Sequence, residues 1–137
     1  MAFDYSEFKE LRNKVAGLEQ RSDEFFREFL LDMALRAQGR IKKRQEGRMG
    51  KSFKAVDTGT MVNAWMLSEV RRSGDTLIVE IFNNVEYASH VEYGHRTRSG
   101  GFVEGKFMCK FTLDEIEREL PARLETEFKR FVSTLGL

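Results

Sequence analysis

The first third of the chain carries apolar residues at three- and four-residue steps, which is the spacing of one face of an amphipathic helix. A first short helix is predicted from about residue 4 to residue 18, with a break near Gly17. Its apolar face is formed by Phe8, Leu11, Val15 and Leu18.

A second and clearer helix is predicted to follow. Ser22 precedes Asp23 and Glu24, which suits an N-cap followed by carboxylates at the positive end of a helix. Helical spacing then continues through Phe26, Leu30, Met33, Ala37 and Ile41. The last turn carries Lys42, Lys43 and Arg44, where the helix dipole favours cations, and Gly47 can end it. We interpret the apolar stripe as core.

The middle of the chain changes to strand-like patterning. Residues 47–54 are basic and contain glycine without an apolar period, which predicts an exposed loop. Residues 61–71 and 76–82 are rich in branched and aromatic side chains, and Ser73-Gly74-Asp75 between them is typical of a turn. We therefore predict an antiparallel hairpin, with Trp65 anchoring it against the long helix.

The segment after the hairpin contains several glycines. Residues 85–93 predict a short helix or turn that carries Tyr87, and residues 94–101 predict a mobile loop. Phe102 and Val103 can return the chain to an extended segment that ends at Gly105.

The C-terminal third returns to helical spacing. Thr112 and Glu115 match the spacing of a capping box, which predicts a helix start with Leu113, Ile116 and Leu120 on one side. Pro121 is tolerated in a first helical turn, so it predicts a second helical piece or a kink. That piece would carry Leu124, Phe128, Phe131 and Val132.

These elements together predict an α+β fold with N-terminal helices, a small antiparallel sheet with a hairpin, and C-terminal helices. The chain has 137 residues, of which 41% are hydrophobic, enough for one core. We expect a single domain over residues 1–137, with mobile loops near 45–56 and 94–105.

Charge and cysteine content bear on whether the chain binds nucleic acid and on the compartment in which it folds. The 23 basic and 22 acidic residues nearly cancel, so no global field indicates binding to nucleic acid. The single cysteine, Cys109, has no partner for an internal disulfide, which fits a reducing compartment, and its default interpretation is a small buried hydrophobe. No secretory signal and no run of about twenty apolar residues is found.

Asp57-Thr58-Gly59 is the most tempting catalytic string, because the same tripeptide occurs in aspartic proteases. Those enzymes are essentially all-β, whereas here a long helix and a basic loop precede the tripeptide. A structural interpretation is favoured, in which Asp57 and Thr58 cap backbone groups and Gly59 permits a turn.

Other catalytic and metal sites are poorly supported by the spacing. His90, Glu92, His95 and Cys109 contain metal-ligand types, but His90 and Glu92 would face different sides of a helix. Serine elbows, phosphate-binding glycine loops and Cys/His nucleophile patterns are not found. We predict no enzyme activity, no metal, no cofactor and no catalytic residue.

A local basic patch lies between residues 36 and 54 and contains eight basic residues against the single acidic Glu46. It comprises Arg36, Arg40, Lys42, Lys43, Arg44, Arg48, Lys51 and Lys54. One interpretation is a solvated helix end and loop, and the other is contact with DNA phosphates or an acidic partner. No base-reading motif accompanies it.

An ordered set of motifs carries a family resemblance. The pieces are Val56-Asp57-Thr58-Gly59, Asn63-Ala64-Trp65, residues 87–97 and residues 100–108. In this order they resemble the small tail-completion or head–tail joining proteins of long-tailed bacteriophages. The motif match covers about residues 56–108, with Met61 in place of the family's usual Leu.

The resemblance implies a structural virion protein of the neck or tail, made in the host bacterial cytoplasm. It implies a ring of identical subunits, a hexamer, at the head-proximal end of the tail, in contact with connector and tail-terminator or tail-tube proteins. The residues assigned to fold and assembly are Asp57, Thr58, Gly59, Trp65, Tyr87, Ala88, Glu92, Gly94 and Gly105.

An alternative function is a small non-specific DNA-binding protein that uses the basic segment 36–54. Within the ring interpretation, the same segment would supply contacts to DNA in the channel or to an acidic partner. The residues proposed for those contacts are Arg40, Lys42, Lys43, Arg44, Arg48 and Lys51. No membrane partner is expected.

Overall fold

The computed structural model describes residues 5–47 and 61–136, without the side chains of residues 5–8, 10–12, 14 and 15. A long helix, α1 (Tyr5–Gln45), is followed by a short 3-10 helix (Val62–Ala64). Four short strands come next, β1 (Trp65–Leu67), β2 (Arg71–Ser73), β3 (Thr76–Ile78) and β4 (Ile81–Asn83). The chain ends with α2 (Ala88–Tyr93), β5 (Gly94–Arg96), β6 (Phe102–Glu104) and α3 (Met108–Ser133). This arrangement confirms the predicted α+β class.

The N-terminal helical region is one helix, so the predicted break near Gly17 is wrong. A Cβ added to Gly17 would meet nothing within 4 Å, so no tertiary contact requires glycine there. One glycine costs a helix only about 1 kcal/mol, which a helix of 41 residues tolerates. Ser22 therefore lies inside α1 and does not cap it. The predicted stripe of Phe8, Leu11 and Val15 lies outside the described side chains.

The predicted hairpin is confirmed, but it is divided into two ladders. Trp65 pairs with Asn83 in β1–β4, and Ser73 pairs with Thr76 across the Gly74-Asp75 turn in β2–β3. Three residues of the first arm, 68–70, lie opposite only residues 79 and 80 of the second, which is the pattern of a β-bulge. Gly74 has φ +60°, which a type II′ turn requires at its first central position, between Ser73 and Asp75.

The C-terminal helix starts earlier than its capping box predicts. α3 begins at Met108, and Thr112 lies within it with its hydroxyl accepting a hydrogen bond from Arg44 Nε at 3.1 Å. The capping-box prediction is wrong because this hydroxyl is used in packing against α1. Pro121 lies inside the same helix, so one helix rather than two closes the fold.

α1 and α3 pack side by side and run antiparallel. Arg21 donates to the carbonyl of Thr134, Phe25 stacks on Phe131 with ring centroids 4.7 Å apart, and Arg44 bonds Thr112. The C-terminal part of the predicted stripe of α1, Met33, Ala37 and Ile41, is buried in two neighbouring clusters, whereas Leu30 is half-buried and Phe26 is 38% exposed. One cluster is formed by Ile41, Met61, Trp65, Ala88 and Met108, and the other by Met33, Ala37 and Ile116.

Each of the large apolar side chains among them, such as Met33 and Ile41, contributes about 1.5 to 3 kcal/mol by leaving water. The two clusters fix the hairpin, α2 and the start of α3 on one framework helix. Among the described residues, no helix combines the length and apolar character needed to cross a membrane.

Candidate functional site

The predicted motif residues fall into two groups. Asp57, Thr58 and Gly59, together with Arg48 and Lys51, lie outside the described residues, so their assigned roles stay predictions. Trp65, Tyr87, Ala88, Glu92, Gly94 and Gly105 are described. Except for Trp65, the second group lies at or near the connection between α2, the β5–β6 hairpin and α3.

Trp65 is 6% exposed and packs against α1. Its indole Nε1 donates to Gln45 Oε1 at 2.8 Å, and its carbonyl accepts from Gln38 Nε2 at 2.8 Å. Because a buried indole N–H needs an acceptor, the Gln45 contact lets this large side chain join the core. The predicted packing of Trp65 against the long helix is confirmed.

Glu92 caps the N-terminus of α3 from a distance of 16 positions along the sequence. Its carboxylate is buried and accepts hydrogen bonds from the backbone N–H groups of Cys109 at 2.9 Å and Lys110 at 3.1 Å. These are the donors that an N-cap side chain normally satisfies, and Phe107 at the N-cap provides no side-chain acceptor. A negative charge here is also stabilised by the helix dipole.

Gly94 and Gly105 allow the backbone beside Glu92 to pack closely. A Cβ on Gly105 would lie 2.6 Å from the carbonyl carbon of Tyr93, and a Cβ on Gly94 would lie 2.5 Å from the carbonyl oxygen of Val103. Gly94 also has φ +88°, which disfavours other residues. We call Glu92, Gly94, Gly105 and the first turn of α3 the Glu92 junction. Its glycines are required by steric contact.

Tyr87 is the N-cap residue of α2 and Ala88 is its first residue, and the two side chains differ in burial. Ala88 is buried in the cluster around Ile41 and Trp65, whereas the Tyr87 side chain is 44% exposed. Ala88 therefore contributes to the fold. The exposed Tyr87 remains a predicted assembly contact.

The candidate metal ligands lie in two pairs, His90 with His95 and Glu92 with Cys109, and do not form one site. His90 and His95 stack with ring centroids 5.3 Å apart, while the Glu92 carboxylate is bonded to the backbone of α3. Within the described part of the chain, no three His, Cys, Asp or Glu side chains form a group that could hold a metal ion.

Cys109 lies next to the buried Glu92 carboxylate at the start of α3. Burial, reinforced by the negative charge of Glu92, raises the pKa of the Cys109 thiol to about 12. A helix N-terminus alone would lower it, so burial and Glu92 outweigh the dipole here. The thiol is protonated at neutral pH, as expected of a packing residue.

Two arginines of the basic patch form contacts within the subunit rather than with solvent. Arg44 is 2% exposed, bonds Thr112 and forms an ion pair with Glu115, and Arg40 Nη2 bonds Glu119 Oε1 at 3.0 Å. The bond to Glu119 raises the pKa of Arg40, and desolvation lowers that of Arg44. These two guanidinium groups join α1 to α3.

Of the remaining described members, Arg36 forms an exposed ion pair with Asp32 at 3.0 Å. Lys43 is exposed and Lys42 is half-buried at the end of α1. The cationic surface that the described residues present to solvent is therefore smaller than the sequence suggests.

The β5–β6 hairpin lies within the family-motif pieces 87–97 and 100–108, but its exposed side chains were not among the predicted assembly residues. The region predicted as a mobile loop forms paired strands, with Arg96 directly opposite Phe102 and His95 opposite Val103. Phe102 is 65% exposed, Val103 is 42% exposed, and Arg96 and Arg98 are both exposed. Whether this hairpin is mobile stays a prediction.

The sequence held a signal for this surface. Phe102 and Val103 follow Arg96 and Arg98 in the sequence, and three residues, two of them glycines, lie between Arg98 and Phe102. Apolar side chains that lie beside cations in a short hairpin have few core residues to pack against. The exposure of Phe102 and Val103 could therefore have been predicted.

Comparison with protein families matches residues 9–94 to the HK97-gp10-like family, described as "Bacteriophage HK97-gp10, putative tail-component". The match covers α1 from residue 9 onwards, both ladders of the first hairpin and all of α2, and it ends at Gly94. Comparison with curated proteins and with solved structures gives no match. Because the matched segment spans more than half of the 137 residues, the chain belongs to the HK97-gp10-like family of bacteriophage tail components.

Proposed function

We propose that this tail component forms a ring at the head-proximal end of the phage tail and helps join the tail to the head. The ring is proposed as a hexamer of identical subunits that leaves a channel for DNA. Its proposed neighbours are the connector proteins on the head side and the tail-terminator or tail-tube proteins on the other side.

The family membership is the observation that carries this proposal, since tail components act through contacts with other virion proteins. The exposed apolar side chains of the β5–β6 hairpin support it independently. Phe102 and Val103, consecutive residues of β6, are 65% and 42% exposed. Large apolar side chains that stay exposed on a short hairpin are typical of interaction surfaces.

The proposal assigns no chemical reaction to the chain. The Cys109 thiol has a raised pKa, the Glu92 carboxylate holds a helix end, and the two histidines stack on each other. Each of these groups has a structural use. If the chain were a hydrolase that uses Asp57, the purified protein would show hydrolytic activity and Asp57→Asn would abolish it. An activity that Asp57→Asn leaves unchanged would exclude this role for Asp57.

The DNA-binding alternative would rely on Lys42 and Lys43 with the predicted contacts of Arg48 and Lys51, since Arg40 and Arg44 pair with carboxylates of α3. Such binding would weaken steeply with salt, because each phosphate contact releases counterions. Loss of salt-dependent DNA affinity in Lys42→Glu/Lys43→Glu would favour this alternative, and unchanged affinity would count against it.

The proposed function is tested by deleting the gene from its phage. We expect DNA-filled heads and separate tails in electron micrographs, and restored joined particles when the gene is supplied from a plasmid. Intact, infectious virions from the deletion would contradict the proposal. A deletion that removes heads instead would assign the chain to an earlier step.

A further inference from the structure

The outer side of α1 carries a second exposed surface, in a different part of the molecule from the hairpin. Glu24, Glu28, Leu31 and Leu35 recur at steps of four, three and four residues, which places them along one face of the helix. All four are exposed, with Leu31 at 40% and Leu35 at 51%. We call these four residues the α1 stripe.

The α1 stripe combines negative charge with apolar area. Glu24 accepts a 3.4 Å hydrogen bond from Gln20, and within the described residues no cation pairs with either Glu24 or Glu28. The core residues Met33, Ala37 and Ile41 lie on the other side of the helix. The stripe therefore contributes nothing to the subunit's own core.

The face of the β5–β6 hairpin that carries Arg96 and Phe102 also combines charge with apolar area. Arg96 and Arg98 give it a net positive charge against one carboxylate, that of the exposed Glu104, which lies on the same side of β6 as Phe102. Arg96 and Phe102 are direct partners across the two strands, and Arg98 lies at the tip. Phe102 lies over Gly94, since a Cβ at Gly94 would come within 2.8 Å of Phe102 Cζ. The Phe102 ring is thus held on the hairpin while 65% of it stays exposed.

We propose that the β5–β6 hairpin of one copy docks on the α1 stripe of a second copy, with Arg96 and Arg98 on Glu24 and Glu28 and with Phe102 on Leu31 and Leu35. This inference rests on the proposed ring and names its subunit contact. Between two copies, hairpin and stripe attract each other because their charges are opposite, whereas two hairpins or two stripes repel each other.

The contact joins two different surfaces, so it is heterologous. Copies linked in this way add head to tail and close into a ring when the rotation between neighbours permits. A twofold dimer would satisfy the same contact only by making it twice, hairpin on stripe and stripe on hairpin, and its mass distinguishes it from a ring.

The test uses charge reversal in the purified full-length chain. One variant is Arg96→Glu/Arg98→Glu, a second is Glu24→Arg/Glu28→Arg, and a third carries all four changes. Arg118→Glu/Lys129→Glu is the matched control, because both residues are exposed on α3 outside the two surfaces. Mass is measured by sedimentation, and circular dichroism verifies that each variant is folded.

We expect the wild type and the control to assemble, and each double variant to be monomeric with self-affinity reduced more than about a hundredfold. An equal mixture of the two double variants should assemble, because each then meets a complementary surface, and the fourfold variant should assemble alone. Phe102→Ser should also weaken assembly. This variant tests the proposed contact of Phe102 with Leu31 and Leu35 without changing any charge.

Double variants that assemble like the wild type would overturn the inference and leave the ring proposal standing. Folded double variants that stay monomeric when mixed would also overturn it, since the two surfaces would then not be complementary. A monomeric wild type would contradict the self-contact, whereas the deletion phage tests the role in head–tail joining separately.

Discussion

The seam between α1 and α3 and the β5–β6 hairpin use aromatic rings and arginines in opposite ways. In the seam, Phe25 stacks on Phe131 and the buried Arg44 is bonded to Thr112 and paired with Glu115. In the hairpin, Phe102 and Arg96 lie side by side but exposed. Aromatic rings and arginines thus stabilise the subunit in the seam, whereas in the hairpin they are exposed and available to bind a neighbouring subunit.

This difference separates residues that hold the fold from residues proposed for assembly. Substitutions in the seam should lower the free energy of unfolding. Substitutions on the exposed hairpin should leave that free energy nearly unchanged and alter the size of the assembly.

Arg44→Ala should destabilise the subunit by about 2 to 4 kcal/mol, because Thr112 and the partly exposed Glu115 lose a buried cationic partner. Urea denaturation measures the loss. Arg36→Ala is the control, since its ion pair with Asp32 is exposed and should matter by less than about 1 kcal/mol. Equal losses in the two variants would contradict the assigned role of the seam.

Gly105→Ala should cost about 1 to 3 kcal/mol, because its Cβ would press on the backbone at Glu92 and Tyr93. Gly39→Ala is a control within α1, where an added Cβ meets nothing within 4 Å. That variant should gain up to about 1 kcal/mol. Thermal unfolding of both variants checks the contrast, and a harmless Gly105→Ala would remove the steric account of the Glu92 junction.

Glu92→Gln should cost about 1 kcal/mol, since the start of α3 keeps an acceptor but loses a negative charge. It should also lower the pKa of Cys109, because Glu92 is one of the two causes that raise it. The rate of Cys109 alkylation as a function of pH measures this pKa directly.

In the wild type, alkylation of the folded chain near pH 9 should be at least about a hundredfold slower than in urea. Stability should fall as pH rises from 9 towards 12, because the unfolded thiol releases its proton first while the folded thiol retains it up to about 12. A fast reaction in the folded state would show that Cys109 is not shielded.

The smallest effect is expected at Asp23, where hydrogen bonds from Arg27 and Arg72 lower the carboxyl pKa below its ordinary 3.8. Its contribution is present above that value and is lost as the pH falls through the lowered pKa. An NMR titration of Asp23 should move upwards in Arg72→Ala. An unchanged titration would mean that the hairpin does not reach α1 through this pair.

Local patterns predicted the parts of the fold that depend on neighbours in sequence. The Gly74-Asp75 turn, the buried stripe of α1 and the extended segment at Phe102 were all predicted from spacing and turn residues. The continuous helix through Gly17 was missed, because one glycine was given more weight than 41 residues of helix.

Long-range contacts explain the remaining errors. The side chain of Thr112 meets Arg44, which lies 68 positions away, so a capping pattern read locally could not reveal that the hydroxyl packs against another helix. The same holds for Glu92 on α3 and for Arg40 with Glu119. In each case a charged or polar residue is paired with a partner that is distant in sequence and close in the fold.

The most direct test of the head-to-tail contact is complementation of the deletion phage with the charge-reversal genes. The account predicts that Arg96→Glu/Arg98→Glu and Glu24→Arg/Glu28→Arg each lower plaque numbers strongly, while co-expression of the two restores them. Plaque numbers equal to the wild type from each double variant alone would contradict the account.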